Sequence, residues 1–409
     1  MKIVLDAKGK PKEERAVGGG WMRRIRTAAA MLALAGGLWA SGAGAAEVKN
    51  VTAKYQWPWG AYINYEVTGT IPASYLLTVK VTDRMKNATY TASTNVLSGD
   101  TGRAAGAHRL IWDLDKQGIS IQSTNVLFTV DYSPALYSVI DLAAGANASS
   151  YPVSYMNEPP SGGFNTDEYK TTKLVLRKIE PGTFTMGSPS SESGRDSDET
   201  QHKVTLTKPY YIGLFEVTQK QYALVTGSNP SYFSGDKRPV EKVSWNTIRG
   251  NTNWPASSAV SAASFMGRLR ARTGLGDFDL PTEAQWEYAC RAGTTTAYSY
   301  GGSANGDYMW YSSNSSSQTH DVGAKKANAW GLYDMHGNVW EWCLDCYASN
   351  LGTAAVTDPK GASSGSYRVL RGGGWSSDAA NCRSAYRSYG NPSSTDSNLG
   401  FRLSRILSE

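Results

Sequence analysis

Residues 47–135 and residues 171–409 follow different patterns, and that change constrains the fold more than any single motif. The first stretch alternates with period two in Tyr62-Ile-Asn-Tyr-Glu-Val67, Leu77-Thr-Val-Lys-Val81, Arg109-Leu-Ile-Trp-Asp113 and Val126-Leu-Phe-Thr-Val-Asp-Tyr132. Successive side chains on a strand face opposite ways, so such runs bury one face and wet the other. Ser98-Gly-Asp100 and Lys116-Gln-Gly118 supply turns between them. The second stretch has helix caps in place of alternation. Thr218 suits the cap of a helix over 219–226 with Gly227 as its stop, and Ser257 or Ser258 is expected to open a helix reaching Thr273. Thr282-x-x-Gln285 after Pro281 is a capping box for a helix carrying Trp286 and Cys290 on one face. Beyond it come few helix signals, much glycine and many tryptophans.

The first region therefore predicts an all-β sandwich of immunoglobulin or fibronectin type, with about seven short strands. It carries no catalytic constellation and reads as a spacer or adhesion module. Residues 136–170 form a linker around Pro159-Pro-Ser-Gly-Gly163, with Tyr137–Leu142 suited to the first strand of the next domain. Residues 171–409 predict an α+β domain.

The N-terminus reads as an address. Met22-Arg-Arg-Ile-Arg26 is a positive segment, Ala28–Ala40 is apolar, and Ala43-Gly-Ala45 is a small-x-small cleavage pattern. Together they predict a signal peptide over 22–45, with residues 1–21 a mis-started extension and translation beginning at Met22. Export to the periplasm, cell surface or exterior is the expected outcome, with no membrane span after cleavage. The net charge of +6 falls to about +1 without residues 1–45, which hold eight Lys/Arg against three acids. No basic surplus remains to attract nucleic acid. Hydrophobic residues at 40% and charged ones at 19% exclude a disordered chain.

Four cysteines remain: Cys290, Cys343, Cys346 and Cys382. Cys343-x-x-Cys346 leaves three readings open: a mutual pair, a redox motif, or a bond from either to Cys382. Zinc is excluded by the lack of a second Cys/His cluster. Cys290 reads as a small buried hydrophobe. His336 reads as a loop histidine packed on tryptophan, and the acidic run from Glu192 to Glu199 as a solvated loop.

Nine stretches in order resemble the formylglycine-generating enzyme (sulfatase-modifying factor) family. They are Gly182-Thr-Phe-Thr-Met-Gly-Ser188, Glu216-Val-Thr218, Pro239-Val-Glu-Lys-Val-Ser-Trp245, Leu280-Pro-Thr-Glu-Ala-Gln-Trp-Glu-Tyr288, Asn328-Ala-Trp-Gly-Leu-Tyr-Asp334, Gly337-Asn-Val-Trp-Glu-Trp342, Arg371-Gly-Gly-Gly-Trp375, Asn381-Cys-Arg-Ser-Ala-Tyr-Arg387 and Asn398-Leu-Gly-Phe-Arg402. The resemblance implies a variant C-type-lectin-like fold. The family's enzymes oxidise a sulfatase cysteine in a Cys-x-Pro-x-Arg segment to formylglycine, using oxygen and copper(I) held by two thiolates. Soft thiolates suit Cu(I). Cys382 matches the second of those positions. Ser377 stands at the first, and Gly374 replaces a pocket serine. A hydroxyl is a poor Cu(I) ligand, so the resemblance implies a binding or altered member, with an active oxidase as the alternative.

The resemblance also implies a ligand groove with Trp340, Ser377 and Asn381, and a disulfide from Cys343 to Cys382. It implies calcium held by the Asp334 and Glu341 carboxylates and the Gly337 and Val339 carbonyls, a set of hard oxygen ligands. The contrary reading has Asp334 capping a turn and Glu341 paired with an arginine such as Arg387. The implied partner is a sulfatase or another exported protein or peptide. Variable proteins of diversity-generating retroelements also look like this domain, and Ser376, Ser377, Asp378, Ser388, Tyr389 and Asn391 are residues of the kind such surfaces use.

Overall fold

Alternation in the first region becomes strand pairing directly. The computed structural model describes residues 46–56, 60–121, 125–250 and 254–407. The expected signal peptide lies outside the described residues. The chain divides into two units, one reaching Pro72 and including Leu77–Ser133, the other comprising Ala73–Leu76 and everything from Pro134.

The first unit holds β1 (Glu47–Gln56), β2 (Gly60–Thr68), β3 (Tyr75–Asp83), β4 (Ala88–Thr91), β5 (Leu97–Gly99), β6 (Gly106–Trp112) and β7 (Val126–Pro134). They form sheets of order β1-β2-β6-β5 and β4-β3-β7. That is the ABED sheet and the C- and F-containing sheet of an immunoglobulin-type sandwich. On β2, Ile63, Tyr65 and Val67 are buried while Tyr62 and Glu66 are exposed. Trp112 of β6 meets Phe128 of β7 edge to face, joining the two sheets across the core.

The second unit opens with β8 (Tyr137–Asp141), β9 (Val153–Met156), α1 (Asp167–Thr171), β10 (Lys173–Ile179), β11 (Gly182–Met186), β12 (His202–Leu206) and β13 (Tyr210–Gly213). Then come α2 (Gln219–Thr226), α3 (Trp245–Arg249), α4 (Phe265–Thr273), β14 (Phe278–Asp279) and α5 (Glu283–Arg291). The rest is sheet: β15 (Trp340–Cys346), β16 (Val356–Thr357), β17 (Arg368–Arg371), β18 (Ser388–Gly390), β19 (Leu399–Gly400) and β20 (Ser404–Ile406). Three sheets result, of order β14-β20-β13-β10-β8-β9, β11-β12-β16 and β18-β17-β15-β19.

The capping boxes at Thr218 and Thr282 form as their spacing predicts. The α4 boundary differs from expectation. Its cap is Ser264, not Ser257 or Ser258, and the helix begins at Phe265. Polar Ser257 and Ser258 had the right chemistry, but Phe265, Met266 and Leu269 are the residues with a core to enter.

Candidate functional site

Every residue of β15 is buried. It pairs antiparallel with β17, Glu341 facing Arg371, and parallel with β19, Glu341 facing Gly400. The loop feeding β15 is tightly wound. Asp334, Gly337 and Asn338 all have positive φ, and a Cβ on Gly337 would collide with the Trp310 carbonyl. This winding turns Asp334 inward beside two more carboxylates.

Glu216 accepts hydrogen bonds from Asn338 Nδ2 (2.7 Å) and the Val339 amide (3.1 Å). Asp334 Oδ2 accepts from the Gly323 amide at 2.6 Å, while its Oδ1 is buried with no partner. Glu341 is paired bidentately with Arg402 at 2.6 Å and accepts from Trp286 Nε1 at 2.7 Å. Burial, and then the charges of Asp334 and Glu341, push the Glu216 carboxyl well above the usual range. Burial pushes Asp334 up to about 6.

The calcium expectation meets this arrangement unevenly. Asp334 fits, because its buried bare oxygen is a hard donor lacking a partner. Glu341 is already committed to Arg402 and Trp286, so the arginine partner is Arg402 and not Arg387. Arg387 instead pairs with Glu283, at 2.6 and 2.9 Å. Among the described residues no three His, Cys, Asp or Glu side chains converge as a metal cluster. An ion here would draw on Asp334 and backbone carbonyls.

The copper pair does not fit the residues present. Cys382 is fully buried, and burial pushes its thiol up to about 12, so the metal-free protein holds a neutral thiol there. Its sulfur lies under Gly373, where a Cβ would approach within 2.5 Å. The Ser377 hydroxyl accepts from the Gly374 amide at 3.0 Å and so closes a turn.

The implied groove residues differ in depth. Trp340 is 8% exposed and Ser377 7%. Asn381 is half-buried, on a short 3-10 turn. The implied Cys343–Cys382 disulfide is absent, and all four cysteines are free buried thiols. Cys343 sits in the cluster of Trp286 and Val369, Cys382 in that of Tyr298 and Met309. Each thiol is surrounded by its own hydrophobic neighbours.

His336 packs against Tyr298 and Tyr300, not a tryptophan. Its Nδ1 faces the Cys382 carbonyl (2.7 Å) and its Nε2 faces the Ser299 amide (3.2 Å). An acceptor on one side and a donor on the other select the neutral Nδ1–H tautomer. Burial pulls its pKa down to about 4, so it is a structural imidazole. The acidic loop is not simply solvated either. Glu199 and Glu192 both hold Arg383, at 2.6 Å each.

Most of the charged motif residues are thus spent on buried ion pairs. Arg371 reaches Glu287 and Glu283, Arg387 reaches Glu283, and Arg383 reaches Glu199. Sequence reasoning did not single out Glu216 as a site residue. Its signals were its place in the Glu216-Val-Thr218 stretch and an acid in an otherwise apolar strand exit, Leu214-Phe-Glu-Val217.

Comparison with known proteins shows the family of the second region. Residues 162–407 match the Sulfatase-modifying factor enzyme 1-like domain. The chaperone protein LppX of Paenibacillus barcinonensis is 34% identical over 251 residues, covering 52% of this chain and 82% of that protein. The formylglycine-generating enzyme of Mus musculus is 26% identical over 318 residues, covering 63% and 82%. Among solved structures, Treponema denticola variable protein 1 superposes with a TM-score of 0.50 at 32% identity, covering 58% of this chain and 96% of that one. The chain belongs to the formylglycine-generating enzyme (sulfatase-modifying factor) family, with its variant C-type-lectin-like fold.

Proposed function

We propose that the chain is an exported binding protein of this family, without the copper oxidase chemistry. The observation that carries the reading is Cys382. It is a buried neutral thiol, and a turn-closing hydroxyl at Ser377 stands where its partner sulfur belongs. Thiolate ligation requires two deprotonated sulfurs reachable by substrate. The relatives named for a chaperone and for a variable protein favour binding as the retained role. The ligand class is an exported protein or peptide, including a sulfatase. Tested with a Cys-x-Pro-x-Arg peptide, copper(I) and oxygen, the protein is expected to leave the peptide mass unchanged. Robust conversion to the aldehyde would establish the oxidase alternative. Ser377→Cys with Gly374→Ser is expected to stay inactive as well, because Cys382 remains enclosed.

A second reading, a variable ligand-binding protein of a retroelement, draws on exposure. Ser376, Asp378 and Asn391 are on the surface and Tyr389 is 50% exposed, although Ser377 is not. A template repeat and a reverse transcriptase beside the gene decide it.

We also propose calcium at Asp334 with the Gly337 and Val339 carbonyls. An ion held 100-fold above its Kd stabilises by about 2.7 kcal/mol. Thermal unfolding at neutral pH is therefore expected several degrees higher in calcium than in chelator. Asp334→Ala should abolish the difference, and identical wild-type curves would remove calcium from this site.

A further inference from the structure

The outer face of the first unit's larger sheet holds a recess of about 440 Å³. Asn50, Asn64, Glu66, Asp100, His108 and Arg109 line it. Its floor is shallow because Ala107 lies opposite Glu66 on β6. The side facing β1 is shaped by a bulge. The β1–β2 register slips between Lys49 and Thr52, and Asn50 takes a left-handed φ of 54° within it. A bulge re-aims a side chain, and bulges are enriched beside functional sites. Here Asn50 Nδ2 reaches Glu66 at 2.7 Å.

Asn50, Asn64, Glu66 and Arg109 are paired in a way that leaves capacity on each. Arg109 Nε donates to Asn64 Oδ1 at 2.7 Å, leaving the Asn64 amide nitrogen and the guanidinium fork for a ligand. His108 Nδ1 lies 2.8 Å from Asp100 Oδ2, and its Nε2 lies 2.9 Å from the Ala104 carbonyl. Both ring nitrogens face acceptors, which calls for the imidazolium. On the outer face Arg109 stands against Glu66, while His108 lies on the opposite face of β6 beside Tyr65 and is paired with Asp100. The recess carries no net charge and mixes donors with acceptors.

An aromatic surface continues this face. Tyr62, Asn64 and Glu66 alternate outward on β2, and Tyr62 is 36% exposed opposite the half-buried Ile111. Two residues along a strand are about 7 Å, so Tyr62 adjoins the polar recess. From Tyr62 to Glu66 the strip is about 14 Å long. An exposed ring beside balanced amide, carboxylate and guanidinium groups suits a ligand with apolar C–H faces and many neutral hydroxyls.

We propose that this face of the first unit is a carbohydrate-binding site for a neutral oligosaccharide, read by Asn50, Asn64, Glu66 and Arg109 and stacked on Tyr62. This is independent of the second unit's chemistry. The test is isothermal titration of the full chain with cellohexaose, xylohexaose and chitohexaose. At least one is expected to bind, with little dependence on salt because the site is neutral. Tyr62→Ala and Asn64→Ala are each expected to weaken it by at least about tenfold, as central contacts do. Both positions face solvent, and matching melting curves confirm that the variants fold. Three outcomes overturn the proposal: no heat with any of the three sugars at millimolar concentration, unchanged affinity in both variants, or binding confined to heparin and lost in salt.

Discussion

Replacing Arg402 with Met is expected to destabilise the second unit by about 3–5 kcal/mol, the cost of leaving a buried charge without its partner. Arg402 is fully buried, and both its Nε and one terminal nitrogen hold Glu341. Burial pulls its pKa down, but Glu341, and then the charges of Glu216 and Asp334, hold it above the ordinary value. It further donates to the Gly213 and Tyr333 carbonyls, so its loss strands two acceptors as well. Urea unfolding measures the effect. Adding Glu341→Gln to Arg402→Met should recover part of the loss, since it removes the stranded charge while leaving an acceptor for Trp286. A single variant within 1 kcal/mol of wild type would show that the carboxylate cluster is neutralised by something other than Arg402.

Stability is expected to fall as pH rises from about 4.5 to 7.5, the reverse of ordinary acid denaturation. Burial, and then the neighbouring Glu283 charge, push Asp345 up to about 7. Burial likewise pushes Glu241 up to about 7, and one of its oxygens is buried without a partner. Both folded values lie above those of an unfolded chain, near 4. Between the two values the folded state holds protons that the unfolded state has released, so each step up in pH costs stability. The loss begins near pH 4 and is complete above about 7. The Tm is therefore expected to fall measurably across this range, in a thermal-unfolding series taken at half-unit pH steps. Carboxylates with lowered values act in a separate range. Burial raises Glu283 and Glu199, but arginines outweigh it, so their contribution is lost only at more acid pH. Asp345→Asn with Glu241→Gln should make the profile shallower between pH 4.5 and 7.5, leaving the part that Glu216 and Asp334 contribute with the same sign. An unchanged slope in that double variant would assign the dependence to other groups.

The strands of the first unit were legible because period-two alternation is a local property. Ile63, Tyr65 and Val67 alternate with Tyr62, Asn64 and Glu66, and no distant contact is needed to say which side is wet. The caps at Thr218 and Thr282 were legible for the same reason, since donor and acceptor lie three residues apart. The motifs marked the family because several ion pairs join residues from different motifs, as with Glu283 and Arg387 or Glu341 and Arg402.

The candidate site was less legible, because it depends on which side chains meet across long separations. The motifs, through the family they resemble, assigned Ser377 and Cys382 to the expected copper positions and Asp334 to the expected calcium loop. They did not reveal that Cys382 lies under Gly373, that Ser377 closes a turn, or that Trp340 is enclosed. Nor did they show Glu216, far away in sequence, bonding the Asn338 side chain. A cysteine becomes a ligand or remains a neutral thiol according to its burial and nearby charges, which the chain acquires only on folding. The sequence alone determined the two regions, the family and the identities at the copper positions. The tertiary structure decided the protonation, pairing and exposure of those residues, because these depend on desolvation and contacts set by the packed whole.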